Sequence, residues 1–312
     1  MARRNPRRRR PEPPGPSGFL VVDKPSGMTS HDVVDAARRW LGTRRVGHLG
    51  TLDPQATGVL PLAVRAATKL IPFIEDTRKA YDGTIVLGVE TDTLDAEGEV
   101  LARHEGALPE RPAVEAALAR FRGDVQQVPP MYSAVKKDGV PLHRLARKGQ
   151  EVEREPKWVT FEEVVVTRFE SPEVDVRVAC SAGTYVRVLA ADLGRALGCG
   201  AHLGGLRRTR SGPFDLEDAH PAEACAAASE SGKIEDWLIP PDEVLDFPVL
   251  EVGRDQRLRL QHGGDLPSGE LHRLVPGTRV SVLDEEGEFL AVVELRADRR
   301  LWPLRVFGAE GD

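Results

Sequence analysis

Residues 158–180 constrain the fold more than any other stretch of this 312-residue chain. One strand is predicted over 158–168 and another over 173–180, where Val174, Val176, Val178 and Cys180 share a face by the two-residue alternation of a strand. Strands this close in sequence pair antiparallel, since a parallel pair needs a crossover of a dozen or more residues. Helices and strands surround them without a regular strand–helix–strand repeat. That order predicts an α+β fold on a mixed, largely antiparallel sheet rather than a doubly wound parallel one.

The remaining elements follow from local signals. Residues 18–24 form a buried strand ending in the Lys24-Pro25-Ser26-Gly27 turn. Ser30 caps a helix over 31–41 whose apolar face is Val33, Val34, Ala37, Trp40 and Leu41, and Gly42 stops it. A strand is expected over 83–89, a helix over 112–121 opened by Pro112, and a helix over 185–197 followed by Gly198. Beyond Pro240-Pro241 and Pro248 come short strands at 279–283, 288–295 and 301–307, the first two joined by an Asp284-Glu285-Glu286-Gly287 hairpin turn. The expected organisation is a basic, Pro/Arg-rich disordered tail (1–17), a main domain (18–246) and a small C-terminal β domain (247–312).

Composition narrows the function classes. No apolar run approaches the roughly 18 residues that cross a bilayer, and the N-terminus lacks a signal-peptide core, so a cytoplasmic protein is expected, without a membrane role. Cys180, Cys199 and Cys225 include no Cys-x-x-Cys pair, which leaves no disulfide framework or zinc ribbon. Cys199 and His202 are only two ligands, so no metal is expected. The net charge of −6 conceals a division between the tail, at +5 with six arginines, and the remainder, at −11. Such a tail either contacts nucleic acid or is simply solvated. Arg44 with Arg45, Lys136 with Lys137, Arg144 with Arg147 and Lys148, and Arg207, Arg208 and Arg210 are either solvated faces or a track for RNA phosphates.

The densest polar stretch is Gly47-His48-Leu49-Gly50-Thr51-Leu52-Asp53-Pro54-Gln55-Ala56-Thr57-Gly58-Val59-Leu60. Asp53-Pro54 reads as a helix opening or as a reactive carboxylate in a loop; His48 braces the loop or serves the site. The three tyrosines, Tyr81, Tyr132 and Tyr185, are either core aromatics or walls of a pocket. Arg187 stands in the first turn of its helix, where a cation opposes the helix dipole, which marks it for pairing with a carboxylate or phosphate, or for a structural ion pair.

Taken together, these residues resemble the TruB family of tRNA pseudouridine synthases. The resemblance is carried by Val22–Ser30, the Gly47–Leu60 loop, Lys79-Ala80-Tyr81, Gln127–Lys136, Gly183-Thr184-Tyr185-Val186-Arg187 and Leu197–Thr209, in that family's order. It implies conversion of uridine to pseudouridine at position 55 in the T loop of tRNA, by base flipping and without a cofactor. It further implies a PUA-like RNA-binding domain over 247–312. The short C-terminal region without extra guide-complex segments favours a stand-alone enzyme, so a monomer with no obligate protein partner is expected. Asp53 would be the essential aspartate, Tyr81 the aromatic stacked on the target base and Arg187 the partner of Asp53. Leu206 would line the pocket and His48 would help hold the T loop open; Tyr185, Lys24, Arg44, Arg45, Lys136, Arg207 and Arg208 would complete the substrate and RNA contacts. The alternatives are a related synthase acting on another RNA and a non-catalytic tRNA-folding chaperone. Asp53 could attack as a nucleophile or remove a sugar proton.

Overall fold

The computed structural model of the chain describes residues 15–133, 136–137, 139–146, 149–150 and 152–307. The alternating valines do form the expected pair: Lys157–Glu170 lies antiparallel to Glu173–Cys180, with Val164 opposite Val178. Val174, Val176 and Val178 are buried, facing the main core. The pair belongs to a mixed sheet in the order His220–Pro221, Gly18–Lys24, Thr57–Val64, Ala201–Ser211, Lys79–Leu87, Glu173–Cys180, Lys157–Glu170 and Gly123–Gln127. Two of these pairings are parallel, Gly18–Lys24 with His220–Pro221 and Thr57–Val64 with Ala201–Ser211. The fold is thus α+β on a largely antiparallel mixed sheet.

Helices Ser30–Trp40, Arg111–Leu118 and Val186–Leu197 contribute Val33, Val114 and Leu189 to the main core. Gly198 ends the last of them in the left-handed conformation at φ 72°, which a residue without Cβ adopts at little cost. Several local expectations are corrected. Thr29, not Ser30, caps the first helix, its hydroxyl accepting from Asp32 N while Asp32 accepts from Thr29 N. The helix expected over 112–121 is α-helical only over Arg111–Leu118 and tightens to 3-10 geometry at Ala119–Phe121. The strand expected from 83 starts at Lys79, so Tyr81 lies within it, held on both sides by sheet neighbours Val178 and Arg208.

A second sheet, in the order Val249–Val252, Arg279–Asp284, Phe289–Leu295, Arg300–Val306 and Leu266–Pro267, encloses its own apolar cluster around Val280, Val293 and Leu301. Asp284 closes the expected hairpin turn by accepting the backbone N–H groups of Glu286 and Glu288. Phe307 and Val292 pack with Phe19, Val59 and Phe214 in a further cluster that joins the two sheets. At the other end of the chain, Pro16 O accepts from Arg65 and Ser17 Oγ accepts from Ala66 N. The segment 15–17, expected as part of a free tail, is therefore bonded to the body; residues 1–14 lie outside the described residues.

Candidate active site

The polar loop shortens to residues 49–56, because Val46–His48 and Thr57–Val64 pair as strands on either side of it. Asp53-Pro54 opens no helix. The backbone instead makes a turn in which Ala56 N donates to Asp53 O at 3.1 Å. Every carbonyl from Gly50 to Pro54 has a donor. Arg208 serves Gly50 O and Thr51 O, Ser30 Oγ serves Leu52 O, and Gly27 N and the Lys24 ammonium both serve Pro54 O. Such saturation holds an irregular loop rigid where no helix or sheet ladder could.

Two residues expected on the RNA surface prove to be these anchors. Lys24 is 0% exposed and spends its three donors on Pro25 O, Met28 O and Pro54 O at 2.8, 2.6 and 2.9 Å. Burial pushes its pKa down to about 8. Arg208 is likewise 0% exposed, with Nε donating to Val59 O at 2.7 Å in addition to its loop bonds. Lys24 has no donor left for a phosphate, and Arg208 is sealed away from one by its burial. Opposite Arg208, Gly58 sits at φ +100°, and a Cβ there would collide with the Arg208 backbone.

Asp53 faces Arg187, which projects from the first turn of the Val186–Leu197 helix and is buried. Arg187 Nη1 lies 3.3 Å from Asp53 Oδ2 and also 3.3 Å from Asp95 Oδ2, while its Nη2 donates to Tyr132 O. Asp95 is oriented by Thr93 Oγ1 and Glu97 N, and its hairpin is fastened to Leu203 by paired backbone bonds. Burial raises the Asp53 carboxyl above the ordinary carboxylate range; Arg187 opposes that shift, Asp95 adds to it and Lys24 opposes it. The Asp53 side chain is nevertheless 45% exposed, so it stands at an open mouth rather than in a sealed interior.

These side chains border a cavity of about 250 Å³ with Lys79, Tyr81, Ser133, Tyr185 and Leu206 on its walls. Tyr81 is 6% exposed, and burial pushes its pKa up to about 12 against the opposing charge of Arg208. Tyr185 caps the arginine helix; Gln127 binds its backbone through both N–H and C=O, at 3.0 and 3.2 Å. Burial raises the pKa of its phenol, and Ser133 opposes that shift. Leu206 pairs with Gly83, whose missing side chain leaves the leucine room to lie against the cavity. A larger hollow of about 440 Å³, bordered by Tyr132, Asp192 and Arg195, gathers no comparable set of reactive groups.

Of the residues expected at the site, the cavity wall includes Asp53, Tyr81, Tyr185, Arg187 and Leu206. His48 ends its strand outside the wall, its Nδ1 buried without a partner and its pKa lowered by burial. Arg44 and Arg45 are exposed on the turn before that strand. Arg207 is bound bidentately by Asp23 at 3.0 and 2.7 Å with its side chain 41% exposed. Lys136 belongs to a two-residue strand, and its side chain, like residues 147 and 148, lies outside the described residues. Asp95, Ser133, Gln127 and Lys79 were not anticipated. Gln127 and Ser133 lie in a stretch that carries the resemblance, and Lys79 carried a signal of its own, two residues before Tyr81 and therefore on the same strand face.

The TruB family pseudouridylate synthase N-terminal model matches residues 38–186, and the tRNA pseudouridylate synthase B C-terminal domain model matches residues 187–246. The chain is 43% identical over 294 residues to a tRNA pseudouridine synthase B of Pseudomonas paraeruginosa, covering 93% of this chain and 95% of that protein. The chain belongs to the TruB family. A second relative, tRNA pseudouridine synthase B of Geobacter sulfurreducens, is 42% identical over 305 residues, 93% of this chain and 99% of the other. Among solved structures, a Cbf5-Nop10-Gar1 complex matches with TM-score 0.66 at 26% identity, over 93% of this chain and 84% of the matched one. The TruB chain is thus a uridine-isomerising enzyme with the pseudouridine synthase fold. None of its described helices is long and apolar enough to cross a membrane, and no described cluster of three metal-ligating side chains occurs.

Proposed function

We propose that this enzyme isomerises the uridine at position 55 in the T loop of tRNA, with Asp53 as the reacting carboxylate, Tyr81 as the aromatic wall beside the base and Arg187 as the partner of Asp53. The observation that carries this assignment is the placement of Asp53 Oδ2 3.3 Å from a buried arginine at the mouth of a cavity walled by Tyr81 and Leu206. Its relatives bear the name tRNA pseudouridine synthase B, which supports tRNA as the substrate.

The reaction exchanges a nitrogen–carbon bond for a carbon–carbon bond between the same base and the same ribose, so it is redox-neutral. Asp53 serves it in one of two ways, by attacking C1′ or by taking the C2′ proton. Sharing Arg187 with Asp95 leaves the three groups with a net negative charge, which suits either role. A base stacked in folded RNA reaches such a recessed wall only by flipping out, and stacking on an aromatic is worth roughly 1–3 kcal/mol per base, comparable to the unstacking cost. The C-terminal β region over 247–312 is proposed as a PUA-like RNA-binding domain. Action as a cytoplasmic monomer without an obligate protein partner belongs to the same proposal.

Incubating the purified protein with unmodified tRNA transcript and mapping pseudouridine tests this assignment. A single modified position, 55, is expected. Modification of other RNAs with tRNA left untouched would redirect the enzyme to another substrate, and tRNA annealing without any modification would make it a chaperone.

A further inference from the structure

We propose that the Lys79 ammonium is a catalytic group that offsets the negative charge left on the uracil ring when its bond to ribose breaks, an assignment that rests on the function proposed above. Among the described residues, two cations line the cavity, Arg187 and Lys79. Arg187 is committed to Asp53, Asp95 and Tyr132 O. Behind the wall, Lys24 and Arg208 are committed to backbone carbonyls. Lys79 Nζ, by contrast, has no hydrogen bond and no ion pair to any described residue. It shares a strand face with Tyr81, two residues on, so it stands beside the wall against which the base would lie. Gly50, at φ +108°, leaves the space that Nζ fills; a side chain there would occupy the same volume.

An ammonium placed this way is costly in the free protein. Burial and the Arg208 charge lower its pKa to about 8, opposed only by Cys180. That cost is recovered when an anion arrives, and the reaction creates one. The N1–C1′ bond breaks with its electron pair moving onto the uracil, where it spreads over N1 and the two carbonyl oxygens. Asp53 meets the electron deficiency at C1′, either by forming a carbon–oxygen bond or by taking the C2′ proton, and each is reversed in the second half. The C5–C1′ bond then forms, C5 loses a proton and N1 gains one, so that product and substrate contain the same atoms. Lys79 transfers nothing; it stabilises charge that exists only between the two bonds, the kind of interaction that speeds the chemical step rather than binding.

The test uses the full-length protein with saturating unmodified tRNA under single-turnover conditions, comparing wild type, Lys79→Met and Lys79→Arg. Lys79→Met should slow the step by about 100-fold, the scale of losing one preorganised charge-stabilising group, with tRNA affinity changed no more than about threefold. Its thermal midpoint should equal or exceed that of wild type, because an unpaired cation beside Arg208 has gone. The wild-type rate should fall above pH about 8 as the ammonium loses its proton, and Lys79→Arg, which stays charged, should keep its rate and lose that limb. Of the groups facing Nζ, Arg208 is lowered by burial but as a guanidinium keeps its proton, Cys180 is pushed up to about 11, Tyr81 to about 12, and His48 is lowered below its usual range, so none titrates near pH 8. Lys24, behind the loop, also titrates near 8; a basic limb that persists in Lys79→Arg would belong to it and overturns the assignment. A Lys79→Met enzyme as fast as wild type at saturation overturns it as well, and if only affinity has dropped, Lys79 is a phosphate contact. Wild-type protein inactive on tRNA overturns the proposed function and this assignment with it, whereas active wild type beside an equally active variant overturns the assignment alone.

Discussion

The two sides of the Asp53 loop are each built on a buried arginine, and the arginines bind different things. On the cavity side, Arg187 meets two carboxylates, Asp53 and Asp95, each at 3.3 Å. On the sheet side, Arg208 meets no described carboxylate; it donates to Val59 O, Gly50 O and Thr51 O. A guanidinium facing carboxylates tunes their charge, whereas one facing carbonyls fixes backbone. The contrast separates the part of the site that reacts from the part that holds the reacting group still.

The largest expected effect lies between the two sides. Asp53→Asn should abolish pseudouridine formation while leaving tRNA affinity within a few-fold, measured by modification mapping and filter binding. Turnover by this variant would remove the reason to distinguish the sides at all.

Arg187→Ala should come next, with a change of pH profile rather than a simple loss. Removing the cation leaves the desolvation of Asp53 opposed only by the weaker influence of Lys24 and leaves Asp95 without its cationic partner; both raise the Asp53 pKa further. At a given pH more of the carboxyl is then protonated, so the acidic limb of the single-turnover rate moves to higher pH and part of the activity returns as pH rises. An unmoved limb with weaker RNA binding would make Arg187 a contact to RNA or to the loop.

Arg208→Met should act on stability. It leaves Val59 O and the Gly50 and Thr51 carbonyls without their donor, at a cost of roughly 2–3 kcal/mol overall after release of the buried charge, readable in urea unfolding. Its acidic limb should stay close to that of wild type. A stable Arg208→Met protein with a shifted limb would show that the sheet side tunes charge too, and the comparison would fail.

Neither buried arginine is available to phosphates, so salt-dependent RNA binding must come from exposed cations. Deleting residues 1–14, which leaves the bonded Pro16 and Ser17 in place, should lower by a small amount the slope of log affinity against log salt. An unchanged slope would assign the salt dependence to the exposed arginines of the body, such as Arg44 and Arg45.

Much of this was legible in the chain itself because it depends on near neighbours. The valine alternation over 173–180 can bury only one face, the Gly198 stop needs no partner, and the Asp284 turn is bonded within five residues. Asp53 stood out in its glycine-rich loop, and Arg187 was marked by its position against its own helix dipole. Asp95 was not visible, since an aspartate in a polar hairpin looks like any turn residue until the fold brings it to an arginine 92 positions away. Lys24 and Arg208 were misjudged for a related reason: a basic side chain in a sequence looks like a surface charge, and only the packing shows that carbonyls have used its donors.

Arg207 and Arg208 mark the boundary between the two kinds of information. They are adjacent in one strand, so sequence alone dictates that they face opposite sides of the sheet. Which side is covered is decided by the Asp53 loop, which returns from another part of the chain with its backbone carbonyls turned toward Arg208. Arg208 is therefore sealed at 0% exposure, while Arg207 stays at the surface on Asp23. A loop of unpaired carbonyls can be buried only where a strong donor meets it, and that meeting exists only in the folded chain.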